Sequence, residues 1–140
     1  MTDDTLFQIV NFAALGGWLM LAASPLIPDL SDRVAGYALP AGLALVYLGL
    51  IAANAGAVDG ASYTTLSGVM AIFDVPGAAL GGWVHFLAFD LVVGAWIARN
   101  GRAEGIRFGY VLPCLLFCFL VGPVGFLMYL GLREAARRRA

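Results

Sequence analysis

Residues 81–101 read GGWVHFLAFDLVVGAWIARNG. Extended back to Gly77, the run is apolar as far as Ala98 and then stops at Arg99-Asn100-Gly101. About 20 mostly apolar residues suffice for a helix to cross a membrane. The run does not alternate apolar and polar residues, which a membrane-barrel strand would do. A helix also satisfies its own backbone groups in lipid. The stretch therefore predicts a transmembrane helix, and it carries the chain's single histidine, His85, with Asp90 five residues on.

Working outward, three more segments of the same kind are found: 6–23, 34–58 and 108–132. Pro25 and Pro28 mark the exit of the first, and Asp59-Gly60 follows the second. The expected fold is all-α: one transmembrane domain over 1–140, a bundle of four helices. Residues 59–76 include LSGVMAIF, too short to span, and read as an interfacial or re-entrant half-helix or a packed loop. Composition agrees with a membrane protein. Of 140 residues, 61% are hydrophobic and 12% charged, against about a quarter charged in soluble domains.

The net charge of −1 gives no field that would attract nucleic acid. All eight basic residues are arginine. With four spans, Arg33, Arg99, Arg102 and Arg107 fall on one side, and Arg133, Arg137, Arg138 and Arg139 on the other. The positive-inside rule then ties. The dense tail cluster favours both termini being cytoplasmic. A hairpin at GPVG, 122–125, would put both clusters on one face, but the length of the last segment favours a straight span. The expected location is an integral, multi-pass position in a bacterial inner membrane. The acidic start, MTDDTLFQIV, lacks the positive region of a secretory signal.

Cys114 and Cys118 sit in an apolar run at C-x3-C spacing and read as small packing residues. One histidine and scattered carboxylates make a poor metal cage, so no metal is expected. Intramembrane ionisable groups are costly and face partners in the protein interior. His85 and Asp90 stand about 140° apart on a helix. The third span should thus be buried on most sides. Gly82, Phe86, Asp90, Gly94 and Ala98 share a stripe on which a neighbour can approach closely. Gly122 and Gly125 are its expected opposite numbers. Pro123 predicts a kink that frees backbone groups. Asn11 and Asn54 are further polar candidates.

GGWVHFLAFDLVVGAWIARNG, followed by VLPCLLFCFLVGPVGFLMYL at 111–130, resembles the abscisic-acid-deficient-4-like family. The first span, FQIVNFAALGGWLMLAASP, is similar more loosely. Ala95 stands where the family pattern has a basic residue before the second Trp, and LFCFLV precedes GPVG in place of a Thr-Phe-containing run. The resemblance implies a small polytopic membrane protein of carotenoid metabolism, since plant members are linked to forming neoxanthin from violaxanthin. That reaction isomerises an epoxide to an alcohol and an allene and needs no cofactor. It implies an acid and a base on an apolar pocket, with His85 and Asp90 of the right types in either assignment. Trp83, Phe86, Asn54, Trp96, Gly122 and Pro123 would line a pocket shared by the two. Membrane lipid and a carotenoid or other isoprenoid are the implied partners, and a homo-oligomer is compatible with the sequence. Two other classes stay open: a non-enzymatic carotenoid- or lipid-binding or assembly protein, and a transport component. Proton relays use such residues, but the sequence shows no paired repeats or broken helices of transporter type.

Overall fold

The computed structural model describes residues 2–57 and 60–138. Val58 and Asp59, at the end of the second expected span, and Arg139 of the tail lie outside them. Every regular element among the described residues is helical.

Helix α1 covers Asp3–Ala22. Thr2 caps it, its hydroxyl accepting from the Thr5 amide at 3.3 Å, and Asp3 and Asp4 lie in its positive first turn. A turn through Ser24 and Pro25 leads to α2, Pro28–Arg33. A π turn, Val34–Ala38, joins it to α3, Leu39–Ala53. The π turn ends two residues before Pro40. Proline has no N–H for the carbonyl one turn back and crowds it, and the wider turn accommodates this. The run Pro28–Ala53 is thus one path of 26 residues.

Short α4, Leu66–Phe73, is capped by Thr65, whose hydroxyl accepts from the Gly68 amide at 3.2 Å. Helix α5, Pro76–Ala103, is the spine. It touches every other helix. Val84, Leu91, Ala95 and Ile97 are fully buried on it. Glycine makes the closest approaches. A Cβ on Gly94 would lie 2.7 Å from the Trp18 ring, and one on Gly17 would lie 2.9 Å from Leu91. α1 and α5 therefore interlock reciprocally, large side chain against glycine. Phe73 of α4 covers Gly82 in the same way, at 2.6 Å. The expected close packing at Gly82 and Gly94 is present, but the opposing residues are aromatic rather than Gly122 or Gly125.

Three helical paths are long and apolar enough to cross a membrane: Asp3–Ala22, Pro28–Ala53 and Pro76–Ala103. The fourth segment departs from a straight span. It divides at Gly122 into α6, Phe108–Val121, and α7, Pro123–Arg137. The two fold back on each other. A Cβ on Gly125 would overlap the Cys118 amide nitrogen and the Cys114 carbonyl oxygen, so α7 crosses α6 at backbone contact. C-x3-C on α6 and Gly125 on α7 form this crossing, and both cysteines are free and buried. At the other end of α7, Arg137 is paired with Glu104, just past α5. Tyr129 donates to Asn100 Oδ1 at 2.6 Å. Fourteen residues of α6 rise about 21 Å, short of a hydrocarbon core of about 30 Å. The last segment is a re-entrant hairpin.

This corrects the arginine count. Arg102 pairs with Asp32 of α2 at 2.6 Å, and Arg99 lies over Tyr37. Both expected clusters, Arg33 to Arg107 and Arg133 to Arg138, stand at one end of the bundle. Asp3 and Asp4 stand at the other, beside Pro76 and Ala79. The start of α1 and the end of α7 are therefore on opposite faces, contrary to the expectation that both termini share one. The tie came from assuming that residues 108–132 cross once.

Candidate functional site

Asp90 is at the middle of the 28-residue α5, so it sits near mid-membrane depth. The hairpin tip meets it there. A Cβ on Gly122 would lie 2.7 Å from Asp90 Oδ1. Only glycine lets the turn come this close to the carboxyl group. The Cys118 thiol points at the backbone carbonyl of Asp90, 3.9 Å away. Among the described residues no hydrogen bond reaches the Asp90 carboxyl oxygens. The tip also brings the start of α7 to Asp90, where a helix carries partial positive charge. Pro123 occupies its first turn and contributes no N–H. Reversal of the backbone at this depth is tolerated only against protein or a cavity, and α5 supplies the protein.

Because the hairpin stops at mid-depth, it leaves space above its tip between α1 and α5. A cavity of about 450 Å³ occupies it, lined by Gln8, Asn11, Leu15, Leu87 and Phe119 among others. Leu87 is one turn above Asp90 on α5. At the upper edge the Trp83 indole N–H donates to Asn11 Oδ1 at 3.2 Å, and Asn11 donates to the Phe7 carbonyl at 2.6 Å. Phe7 packs on the Trp83 ring. Leu15 and Phe119 also line a second, wholly apolar recess of about 200 Å³ that continues to Ala22. The two recesses meet at Leu15 and at Phe119, whose ring packs on Trp18 at 5.5 Å; end to end they make a lane along α1 from Phe7 to Ala22, about 22 Å long. Its polar groups all lie in the half above the tip.

His85 is on the other side of α5. Its ring stacks on Phe89 at 4.6 Å and approaches Tyr47 at 5.5 Å. It lines a separate cavity of about 210 Å³ under α4, with Tyr63, Phe73 and Phe86. His85 is exposed on the surface of the single chain. The expectation that His85 and Asp90 border one cavity is therefore corrected. Their angular separation points them at different neighbours, α3 and α4 for one, the hairpin for the other. The expected burial of the third span on most sides holds for Asp90's side and not for His85's.

The expected pocket residues disperse likewise. Trp83, Gly122 and Pro123 are on the Asp90 side. Phe86 is with His85. Asn54 donates to the Leu50 carbonyl at 2.8 Å, and its amide group fills the space beside Gly77 at the start of α5. Trp96 packs edge-on to Tyr129 at 5.4 Å, with the Arg133 guanidinium over its ring. It anchors α7 rather than facing the groove. Near it, outside the span, the hydrogen bond from Arg137 holds the Glu104 carboxyl below the usual carboxylate range. Missing from the expected pocket were Gln8, Leu87 and Phe119, whereas Asn11, an expected polar candidate, does line the cavity. The sequence signal for Gln8 was its polarity inside a first span whose other members, Asn11 apart, are apolar. Among the described residues no three His, Cys, Asp or Glu side chains come together as metal ligands would.

Residues 5–129 match the family described as ABA DEFICIENT 4-like. The match takes in the first span, the spine and the hairpin as far as Tyr129, and the chain belongs to that family. No curated protein and no solved structure matches it.

Proposed function

We propose, taking membership of the ABA DEFICIENT 4-like family as the premise, that this membrane protein binds one end of a xanthophyll or related isoprenoid in the lane between α1, α5 and the hairpin. Asp90 exchanges protons with the bound group. The observation that carries this reading is the Asp90 carboxyl group, placed at mid-depth beside Gly122 with no hydrogen bond to the described residues. A carboxyl group held there without partners is expensive, and intramembrane ionisable residues are functional by default. A rod-like isoprenoid suits an apolar lane of this length. Asn11 and Trp83 would take a polar end group, and Asp90 lies about 10 Å deeper along α5. A bacterial inner membrane is the location that goes with this reading, since helical spans suit it.

The reaction we assign is isomerisation of a 5,6-epoxide to a tertiary alcohol and an allene. A proton leaves the vinylic carbon next to the ring, and that C–H electron pair becomes the second allene double bond. The adjacent C–O bond breaks, its pair stays on oxygen, and the oxygen takes up a proton. No redox cofactor enters. With His85 on the other side of α5, the Asp90 carboxyl group serves both transfers, giving the proton to oxygen and receiving the one from carbon. The same observation favours a second reading, a non-enzymatic carotenoid or lipid holder, because a binder needs no acid-base pair.

The test is made on protein purified in detergent and reconstituted in nanodiscs. Extracted pigments are identified first, and an added epoxy-xanthophyll is then followed for allene product. Asp90→Asn is expected to abolish turnover, by about a hundredfold or more, while pigment retention and thermal stability stay close to the parent. Pigment retained by the parent without turnover selects the holder. Full turnover by folded Asp90→Asn removes Asp90 from the mechanism.

A further inference from the structure

The lane has a direction in the membrane, and charge fixes it. The arginines Arg33, Arg99, Arg102, Arg107, Arg133, Arg137 and Arg138 stand at one end of the bundle, tied together by Arg102–Asp32 and Arg137–Glu104. The other end carries Asp3, Asp4 and Asp74, with no cation among the described residues. Arginine-rich connections close to membrane helices are retained on the cytoplasmic side. The hairpin enters from the arginine end and stops at Asp90. The polar half of the lane therefore lies wholly in the opposite leaflet. A recess at its mouth is lined by Asp3, Asp4, Phe7 and Trp83.

We infer that the arginine end is cytoplasmic, that the polar half of the lane opens sideways into the non-cytoplasmic leaflet, and that its ligand is a lipid whose head is polar but uncharged. Among the described residues the mouth offers two carboxylates and the neutral Trp83–Asn11 pair, and no cation to receive a phosphate. Like charges brought together at a binding surface select against a partner. A hydroxylated isoprenoid fits both the mouth and the apolar lane, whereas an anionic phospholipid or prenyl phosphate fits only the lane. The ligand class rests on reading the lane as the binding site; the orientation does not.

Two measurements test it separately. Ala61→Cys and Ala103→Cys are each made in a Cys114→Ala/Cys118→Ala background and treated in intact cells with a membrane-impermeant maleimide. Ala61→Cys, in the connection before α4, is expected to react from outside. Ala103→Cys, at the end of α5, is expected to react only after permeabilisation. The reverse pattern overturns the orientation and with it the leaflet. The second measurement titrates the protein in nanodiscs with geranylgeraniol and with geranylgeranyl phosphate, following the fluorescence change that Trp83→Phe abolishes. The alcohol is expected to bind and the phosphate to bind at least about tenfold more weakly. Equal or tighter binding of the phosphate overturns the ligand class. Binding of neither, with the labelling pattern as expected, overturns the lane as the site while the orientation stands.

Discussion

Asp90 and His85 are five residues apart on one helix and face different surroundings. The Asp90 carboxyl group meets a turn of backbone at Gly122, where only glycine leaves room. His85 meets rings, stacked on Phe89 and near Tyr47, and an aromatic ring of any kind would serve there. His85→Phe should therefore keep thermal stability, ligand retention and any turnover within about twofold of the parent, since an exposed substitution away from special contacts costs within about 0.5 kcal/mol. Loss of turnover by well-folded His85→Phe would restore the histidine to the mechanism. Spacing alone showed that the two side chains point apart. It did not show which neighbours receive them, because that depends on where the last segment goes.

The hairpin of α6 and α7 is the element on which the site depends, and its signals were in the chain. GPVG and C-x3-C are small residues at the spacing of a close helix crossing. The reading of GPVG as a kink in one long span, with the cysteines as packing residues, came from the continuous apolarity of 108–132, which a half-depth hairpin shares. Hydropathy measures contact with lipid and is blind to a reversal of direction within it. The first and third spans were legible because nothing in them competes with a straight helix; the second, expected at 34–58, runs Pro28–Ala53 through a π turn ahead of Pro40. The groove was not legible, since it exists only where the hairpin fails to fill. Gly125 is the point to test. Its neighbours are the backbone of Cys114 and Cys118, which cannot rotate away. Gly125→Ala should lower stability by about 1–3 kcal/mol as overpacking does. Gly131→Ala, with open space around it, should be neutral or slightly stabilising, as Ala is over Gly in a helix. The difference between their melting temperatures in one detergent is the readout, and equal values would mean that α7 does not press on α6.

At the scale of the whole molecule, three spans and a half-depth hairpin give a bundle with two unlike halves. The half on the arginine side is filled by α6 and α7 against α5, held by Tyr129–Asn100 and Arg137–Glu104. The other half is left open along Gln8, Asn11, Leu87 and Phe119, one turn above Asp90. Broken helices near mid-depth are a feature of transport proteins, and this chain has one, although no second repeat accompanies it. The proposed site and its leaflet all follow from the hairpin's return to the face it started from. The most direct test is a cross-link between Glu104→Cys and Arg137→Cys in a Cys114→Ala/Cys118→Ala background, made in membranes with a bismaleimide of about 10 Å reach, longer than a disulfide spans, and read as a shift in intact mass. The two positions are in side-chain contact in this fold, and the account predicts a cross-link in most of the protein. A straight fourth span would hold them a membrane thickness apart, about 30 Å or more. No cross-link, with the two cysteines labelled from opposite sides of the membrane, would contradict the hairpin and the site built on it.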